Sequence, residues 1–186
     1  GLLYDGREFT SFASLSREAR ELTILINGVS KSYAMTGWRI GYACANDRIA
    51  KVMANYVSHS TGSPVAISQA VALSGSQEKI EEMRRAFEER RNYLVGRMNR
   101  IPGVSCLCPE GAFYVMMNLE QLIGRSIQGV EITDDDVFAD AFLKKGLVAV
   151  VPGAGFGAKN FVRWSYATSM DNIREGLDRL ERFLAE

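Results

Sequence analysis

The stretch Asn27-Gly28-Val29-Ser30-Lys31-Ser32-Tyr33-Ala34-Met35-Thr36-Gly37-Trp38-Arg39-Ile40-Gly41 decides how the rest of the chain is read. It sets an amine, Lys31, and a fixed cation, Arg39, in one short loop between two apolar runs. The run before it, Glu21 to Asn27 (ELTILIN), is rich in Leu and Ile and bounded by charge and by Asn-Gly, the pattern of a strand buried on both faces. The run after it, Trp38 to Ala45 (WRIGYACA), reads as a second strand. A loop lysine is ordinarily a solvated surface residue. Loops at strand ends of α/β sheets, however, are where ligands are commonly held. An amine that forms imines works best when desolvation or a neighbouring cation lowers its pKa, and Arg39 is a candidate for that cation.

Outward from this stretch the pattern becomes helical. Asp47 to Val57 places Ile49, Val52, Met53 and Tyr56 on one face. Gly62-Ser63-Pro64 interrupts, and Val65 to Leu73 is an Ala-rich apolar helix. Gln77 to Met98 is a long charged amphipathic helix with Ile80, Met83, Phe87, Leu94 and Met98 at helical spacing, and Arg84, Arg85, Arg90 and Arg91 are read as its wet side. Ile101-Pro102-Gly103 stops it. Strands are expected at Val104 to Cys108 and Ala112 to Asn118, split by Pro109-Glu110-Gly111, and at Leu147 to Val151 and Phe161 to Tyr166. Thr133 with Asp136 resembles a capping box opening a helix over Asp134 to Lys144 that stops at Gly146, and Ser169 can cap a final helix striped by Ile173, Leu177, Leu180 and Leu184. Before the lysine stretch, Tyr4-Asp5-Gly6-Arg7 is turn chemistry, and Thr10 to Ser16 shows no period, which makes this part an irregular entry segment.

The predicted organisation is a mixed α/β lobe over 1–75, a connecting helix over 76–100 and a small α+β lobe over 101–186. A chain of 186 residues buries about 70% of its unfolded surface, enough for a sizeable core. It opens on Gly1 rather than Met, and we expect it to begin inside a longer protein. Lys+Arg and Asp+Glu both total 22, so no net field favours nucleic acid or an acidic membrane face. No apolar run approaches a membrane span and no signal-like start is present. The cysteines Cys44, Cys106 and Cys108, with His59 as the single histidine, do not supply a zinc site and suit a reduced, cytoplasmic setting. His59 is read as a hydrogen-bonded structural residue. Gly153-Ala154-Gly155-Phe156-Gly157-Ala158 formally satisfies a dinucleotide-binding fingerprint, but the strand-like FVRWSY follows where a helix is required, so these glycines are read as a tight turn.

The run Gly28 to Gly41 (GVSKSYAMTGWRIG) resembles, residue for residue, the lysine signature of the class I and II aminotransferases, fold type I enzymes of the aspartate aminotransferase superfamily. Its AMTGWR core is similar to the prokaryotic-type aspartate and aromatic branch. Tyr4-Asp5-Gly6, Pro109-Glu110-Gly111-Ala112-Phe113-Tyr114, Pro152-Gly153-Ala154-Gly155-Phe156-Gly157 and Phe161-Val162-Arg163-Trp164-Ser165-Tyr166 agree with the family in order and spacing. The resemblance implies the C-terminal half of a fold type I transferase dependent on pyridoxal 5'-phosphate: a remnant of the large-domain sheet, the connecting helix and the small domain. It implies that Lys31 is the Schiff-base lysine and proton carrier, that Arg39 binds the cofactor phosphate and that Arg163 clamps the substrate α-carboxylate. Many relatives have a phosphate-binding Ser where this chain has Gly28; a backbone amide, Ser30 or Ser32 is the expected substitute.

The implied activity moves an amino group from an amino acid, aspartate or an aromatic one, to a 2-oxo acid, in a cytoplasmic homodimer with no nucleic-acid or membrane partner. The remaining cofactor groups, a glycine-rich phosphate loop, an aspartate on the ring nitrogen and a tyrosine and asparagine at the ring oxygen, are implied to lie upstream. The chain alone is therefore expected to be inactive. Two alternatives stay open: a lyase or decarboxylase using the same cofactor, and a non-catalytic structural fragment.

Overall fold

The computed structural model describes residues 2–74 and 78–185. The chain divides into two compact units, one from Gly6 to Glu82 and the other from Met83 to Glu186 together with Leu2–Asp5. The first unit opens with a 3-10 turn, Phe12–Ser14, and helix α1, Arg17–Leu22, capped by the Ser16 hydroxyl, which accepts from the Ala19 amide at 3.0 Å. Strand β1 (Leu25–Gly28) leads into one turn of helix, α2 (Val29–Ser32), a 3-10 turn (Thr36–Trp38) and strand β2 (Gly41–Cys44). β1 and β2 pair antiparallel, from Leu25 opposite Cys44 to Gly28 opposite Gly41. Helix α3 (Asp47–Ser60) is capped by Asn46, whose side chain accepts from the Ile49 amide at 3.1 Å. Helix α4 (Ala66–Ser74) follows, and helix α5 (Glu78–Met98) passes from the first unit into the second. Gln77, the first residue of that helix in the sequence reading, lies outside the described residues, as do the lobe limits at 75 and 76.

Two expectations change here. Glu21 and Leu22 belong to or adjoin α1 rather than a strand, and β1 is not buried on both faces: Ile26 is 79% exposed. A two-stranded ribbon cannot cover its own faces. The second strand starts at Gly41 rather than Trp38, because Arg39 sits in the left-handed region (φ 53°), which interrupts extended backbone.

The second unit holds a four-stranded antiparallel sheet of β3 (Ser105–Cys106), β4 (Tyr114–Asn118), β7 (Val151–Pro152) and β8 (Phe161–Ser165), in the order β3-β4-β8-β7. A hairpin of β5 (Ser126–Ile127) and β6 (Val130–Glu131) turns through Gln128-Gly129, both at positive φ. Helices α6 (Asp135–Ala141) and α7 (Met170–Ala185) complete the unit. Alternation sends Val115, Met117, Val162 and Trp164 into the core, where they join Leu94 and Met98 of α5, Phe138 of α6, Phe142, and Ile173, Leu177, Leu180 and Phe183 of α7. The rings of Phe138, Phe142, Trp164 and Phe183 pack at centroid distances of 5.1–5.8 Å. Period two therefore turns Arg163 to the face opposite the core.

The helix over 134–144 is capped differently from the reading: Asp134, not Thr133, accepts from the Val137 amide at 2.8 Å, while the Thr133 hydroxyl bonds Asp134. It runs on as a π turn to Gly146, and Leu147 at φ 54° delays the next strand to Val151. Ser169 caps α7 as expected, accepting from the Asn172 amide at 3.2 Å.

The entry segment is tied into the second unit. Tyr4 is fully buried and its hydroxyl donates to the Ala112 carbonyl; the Tyr4 amide bonds Glu110 O (3.1 Å) and the Ala112 amide bonds Leu2 O (3.0 Å). Gly111 permits this contact, since a Cβ there would lie 2.5 Å from Leu2 O. Arg91, read as wet, is 2% exposed. It grips Asp5 through both carboxylate oxygens (2.8 and 2.7 Å), donates to Pro109 O and lies over the Tyr4 ring.

Candidate active site

The lysine loop is a single excursion between β1 and β2, closed at its neck by the Gly28–Gly41 pair and by the Val29 amide donating to Ile40 O at 3.2 Å. Val29 and Met35 are buried and anchor it. Lys31 is exposed on α2, directly after β1, and Ser30 beside it is half-buried. Arg39 is exposed as well; its Nη1 donates to Thr36 O at 3.0 Å, which leaves the rest of the guanidinium fork for a ligand. Lys31, Ser30 and Arg39 are thus brought onto one closed loop. Residues of the loop and its flanks also form a cleft of about 400 Å³ lined by Val29, Tyr33, Ile40, Tyr42, Pro64 and Gln69, and Lys31 and Arg39 are not among its walls. At Gly28 an added Cβ would sit 3.2 Å from Ile40 O, so a side chain there would crowd the neck.

The donor set of this loop suits pyridoxal 5'-phosphate at two ends: a primary amine for an aldehyde, and a guanidinium with the Ser30 and Ser32 hydroxyls for a phosphate. A partner for the pyridine nitrogen is not supplied by this loop.

Arg163 occupies a different kind of place, within the second unit. It pairs with Met116 on one side and Val151 on the other, and Tyr114 is its diagonal neighbour across β4 on the same face. Its guanidinium carbon lies 4.4 Å from the Tyr114 ring centroid and 4.5 Å from that of Phe156. Among the described residues it makes no ion pair and no side-chain hydrogen bond. The guanidinium carbon lies over two rings while none of the guanidinium N–H donors is spent on another described residue, which leaves them to meet a planar anion.

Phe156 ends a 3-10 turn, Ala154–Phe156, in the glycine loop before β8. The Gly153 amide bonds Phe161 O at 2.8 Å and the Ala158 amide bonds Gly153 O at 3.0 Å. A Cβ on Gly153 would lie 2.3 Å from Ala158 O, so this close turn requires glycine. The loop opens into a strand rather than an α-helix. Asp135, 1% exposed, accepts from the Ala154 amide (2.8 Å) and the Asn160 amide (3.2 Å). Burial alone would raise its pKa; the amides of Ala154, Asn160, Asp135 and Gly153 outweigh it and hold the carboxyl below its ordinary range.

Tyr114, Phe156 and Asp135 are the site residues that sequence reasoning misses. Alternation along β4 carries a signal for Tyr114, whereas Phe156 and Asp135 are hidden inside segments read as a turn and a helix start. His59 is exposed in the last turn of α3 and, among the described residues, makes no side-chain hydrogen bond, contrary to the structural role expected of it. Cys44, Cys106 and Cys108 are free thiols. Among the described residues no helix is long and apolar enough to cross a membrane, and no cluster of His, Cys, Asp or Glu is placed to hold a metal.

Comparison with known proteins adds to this geometry. The profile of the family described as aminotransferase class I and II matches residues 1–180. An aspartate aminotransferase of Bacillus subtilis is 46% identical over 186 residues, 98% of this chain and 46% of the relative. An aspartate/prephenate aminotransferase of Cereibacter sphaeroides is 43% identical, over 99% of this chain and 47% of its own length. The crystal structure of the aspartate aminotransferase from Rhizobium meliloti superposes with a TM-score of 0.92 at 41% identity, covering 99% of this chain and 47% of that one. The chain spans about half the length of the curated relatives it matches.

Proposed function

This chain belongs to the class I and II aminotransferases, and from that premise we propose that the whole protein carrying it moves an amino group from an amino acid to a 2-oxo acid. Its fold is the α/β fold of part of a fold type I enzyme. Aspartate or an aromatic amino acid is the proposed donor. Pyridoxal 5'-phosphate, when bound, supplies an aldehyde to carry the amino group and an electron-withdrawing ring. Lys31 is the amine that holds the cofactor and the group that moves a proton at the substrate α-carbon. Arg39 takes the phosphate with its fork, and the Ser30 hydroxyl adds a donor. Arg163 binds the substrate carboxylate, orienting the α-carbon for proton transfer.

One observation supports this reading most: a guanidinium lying over two aromatic rings, with its N–H donors unspent among the described residues. We further propose that 1–75 is the remnant of a large cofactor-binding domain, 76–100 a connecting helix and 101–186 a small domain, in a cytoplasmic homodimer. The 186 residues alone neither catalyse the reaction nor hold the cofactor tightly, as the half-length coverage and the exposure of Lys31 and Arg39 suggest.

Product analysis of the whole protein with aspartate and 2-oxoglutarate tests the proposal. It calls for a 2-oxo acid and glutamate, with kcat/KM down about ten- to a hundredfold in Arg163→Lys through loss of the bidentate bond. Elimination or decarboxylation products in their place would move the assignment to a lyase.

A further inference from the structure

Building on the carboxylate-binding reading of Arg163, we propose that Asp135 is a positioning residue for that arginine: its buried carboxylate clamps the Gly153–Asn160 loop and so sets Phe156 over the guanidinium. One oxygen takes the amide of Ala154 and the other that of Asn160, so a single side chain grips both ends of the loop. A buried charge is a costly way to close a loop. Among the described residues Asp135 has no cationic partner; its charge is met by backbone amides and by its place in the first turn of α6.

What the clamp holds in place explains why it is there. Phe156 is 58% exposed and adds nothing to the core, yet the Arg163 guanidinium carbon lies over its ring at 4.5 Å from the centroid, and over the Tyr114 ring, fixed by the sheet, at 4.4 Å. Of the two walls, only Phe156 stands on a loop. Fixing that loop restricts the arginine's rotamers before a carboxylate arrives, and pre-organisation of this kind improves affinity without adding a contact. Asp135 touches neither cofactor nor substrate and acts through Phe156.

Nuclear magnetic resonance of the 186-residue chain tests the proposal through the Arg163 Nε–Hε resonance, assigned by its loss in Arg163→Lys and displaced upfield by the two rings. Asp135→Asn keeps the side chain's shape but turns an NH2 toward a backbone N–H. It should lose at least half of that displacement and bind succinate about threefold more weakly. Phe156→Ala, at an exposed site, should do the same while the Ala154 and Asn160 amide resonances stay in place. An unchanged Arg163 resonance in Phe156→Ala overturns the proposal even if Asp135→Asn does not fold, and so does an unchanged resonance in a folded Asp135→Asn. If succinate fails to perturb Arg163 in the parent chain while both variants shift its resonance, the clamp stands and the carboxylate reading of Arg163 fails.

Discussion

The lysine loop and the arginine face carry the two halves of one proposed chemistry, yet they are built in opposite ways. Around Lys31 the loop is closed by one strand pair and anchored by Val29 and Met35, while Ile26, Tyr42, Lys31 and Arg39 face solvent. Around Arg163 a four-stranded sheet backs onto a continuous aromatic and aliphatic core, and a buried carboxylate fixes the loop that covers the arginine. The contrast teaches that a reactive side chain can be specified locally by a loop, whereas an oriented one needs a packed scaffold behind it.

The largest expected effect separates the regions by stability. Leu177→Ala should destabilise the second unit by about 3 kcal/mol or more, whereas Ile26→Ala on β1 should change stability by no more than about 0.5 kcal/mol. Urea unfolding followed by tryptophan fluorescence reads both, with Trp164 reporting on the second unit and Trp38 on the first. Equal costs would erase the distinction.

Arg91→Met comes next. It removes the bonds that Arg91 makes to the Pro109 carbonyl and the Asp5 carboxylate, and because Asp5 is more than half exposed the loss should be about 1–2 kcal/mol. Limited proteolysis should then cut near Gly6 sooner. A cleavage pattern like the parent's would mean that the bonds of Leu2 and Tyr4 hold the entry segment without Arg91.

The smallest effect concerns thiol chemistry. Half-burial pushes the Cys106 thiol up to about 11, so at pH 8 it remains protonated, whereas Cys44 and Cys108 are exposed. Iodoacetamide at pH 8 should alkylate Cys106 more slowly than an ordinary thiol by on the order of a hundredfold. The lag should disappear as pH approaches 11 or in denaturant. Uniform labelling at pH 8 would show that the second unit opens readily at its β3 edge.

Much of this was legible in the sequence. The lysine loop, the turn into β8 and the stripe on α7 follow from apolar period and turn residues, and the site assignments that the family motifs carry remain proposals. Arg91 shows where reading failed in an instructive way. Phe87, Arg91, Leu94 and Met98 fall on one helical stripe, so the spacing placed Arg91 inside while its charge argued for the surface. Asp5 and Pro109, distant in sequence, resolve the conflict by satisfying its donors. Phe156 and Tyr114 were opaque for a related reason: each is an ordinary residue of its own segment, and only the register of β4 with β8 and the clamp by Asp135 bring their rings to the Arg163 guanidinium. The β5–β6 hairpin rests on Gln128-Gly129, a turn signal weaker than Asn-Gly.

The central claim is that Lys31 is the cofactor-bearing amine and that this chain presents it without all of the cofactor's walls. Borohydride reduction of the whole protein with pyridoxal 5'-phosphate, followed by peptide mass mapping, tests it most directly, with the 186-residue chain treated in parallel. The account predicts a pyridoxyl adduct on the Lys31 peptide of the whole protein, absent from Lys31→Ala, and only weak, non-saturating labelling of the shorter chain. A stoichiometric adduct on another lysine, or saturating labelling of the 186-residue chain at Lys31, would contradict it.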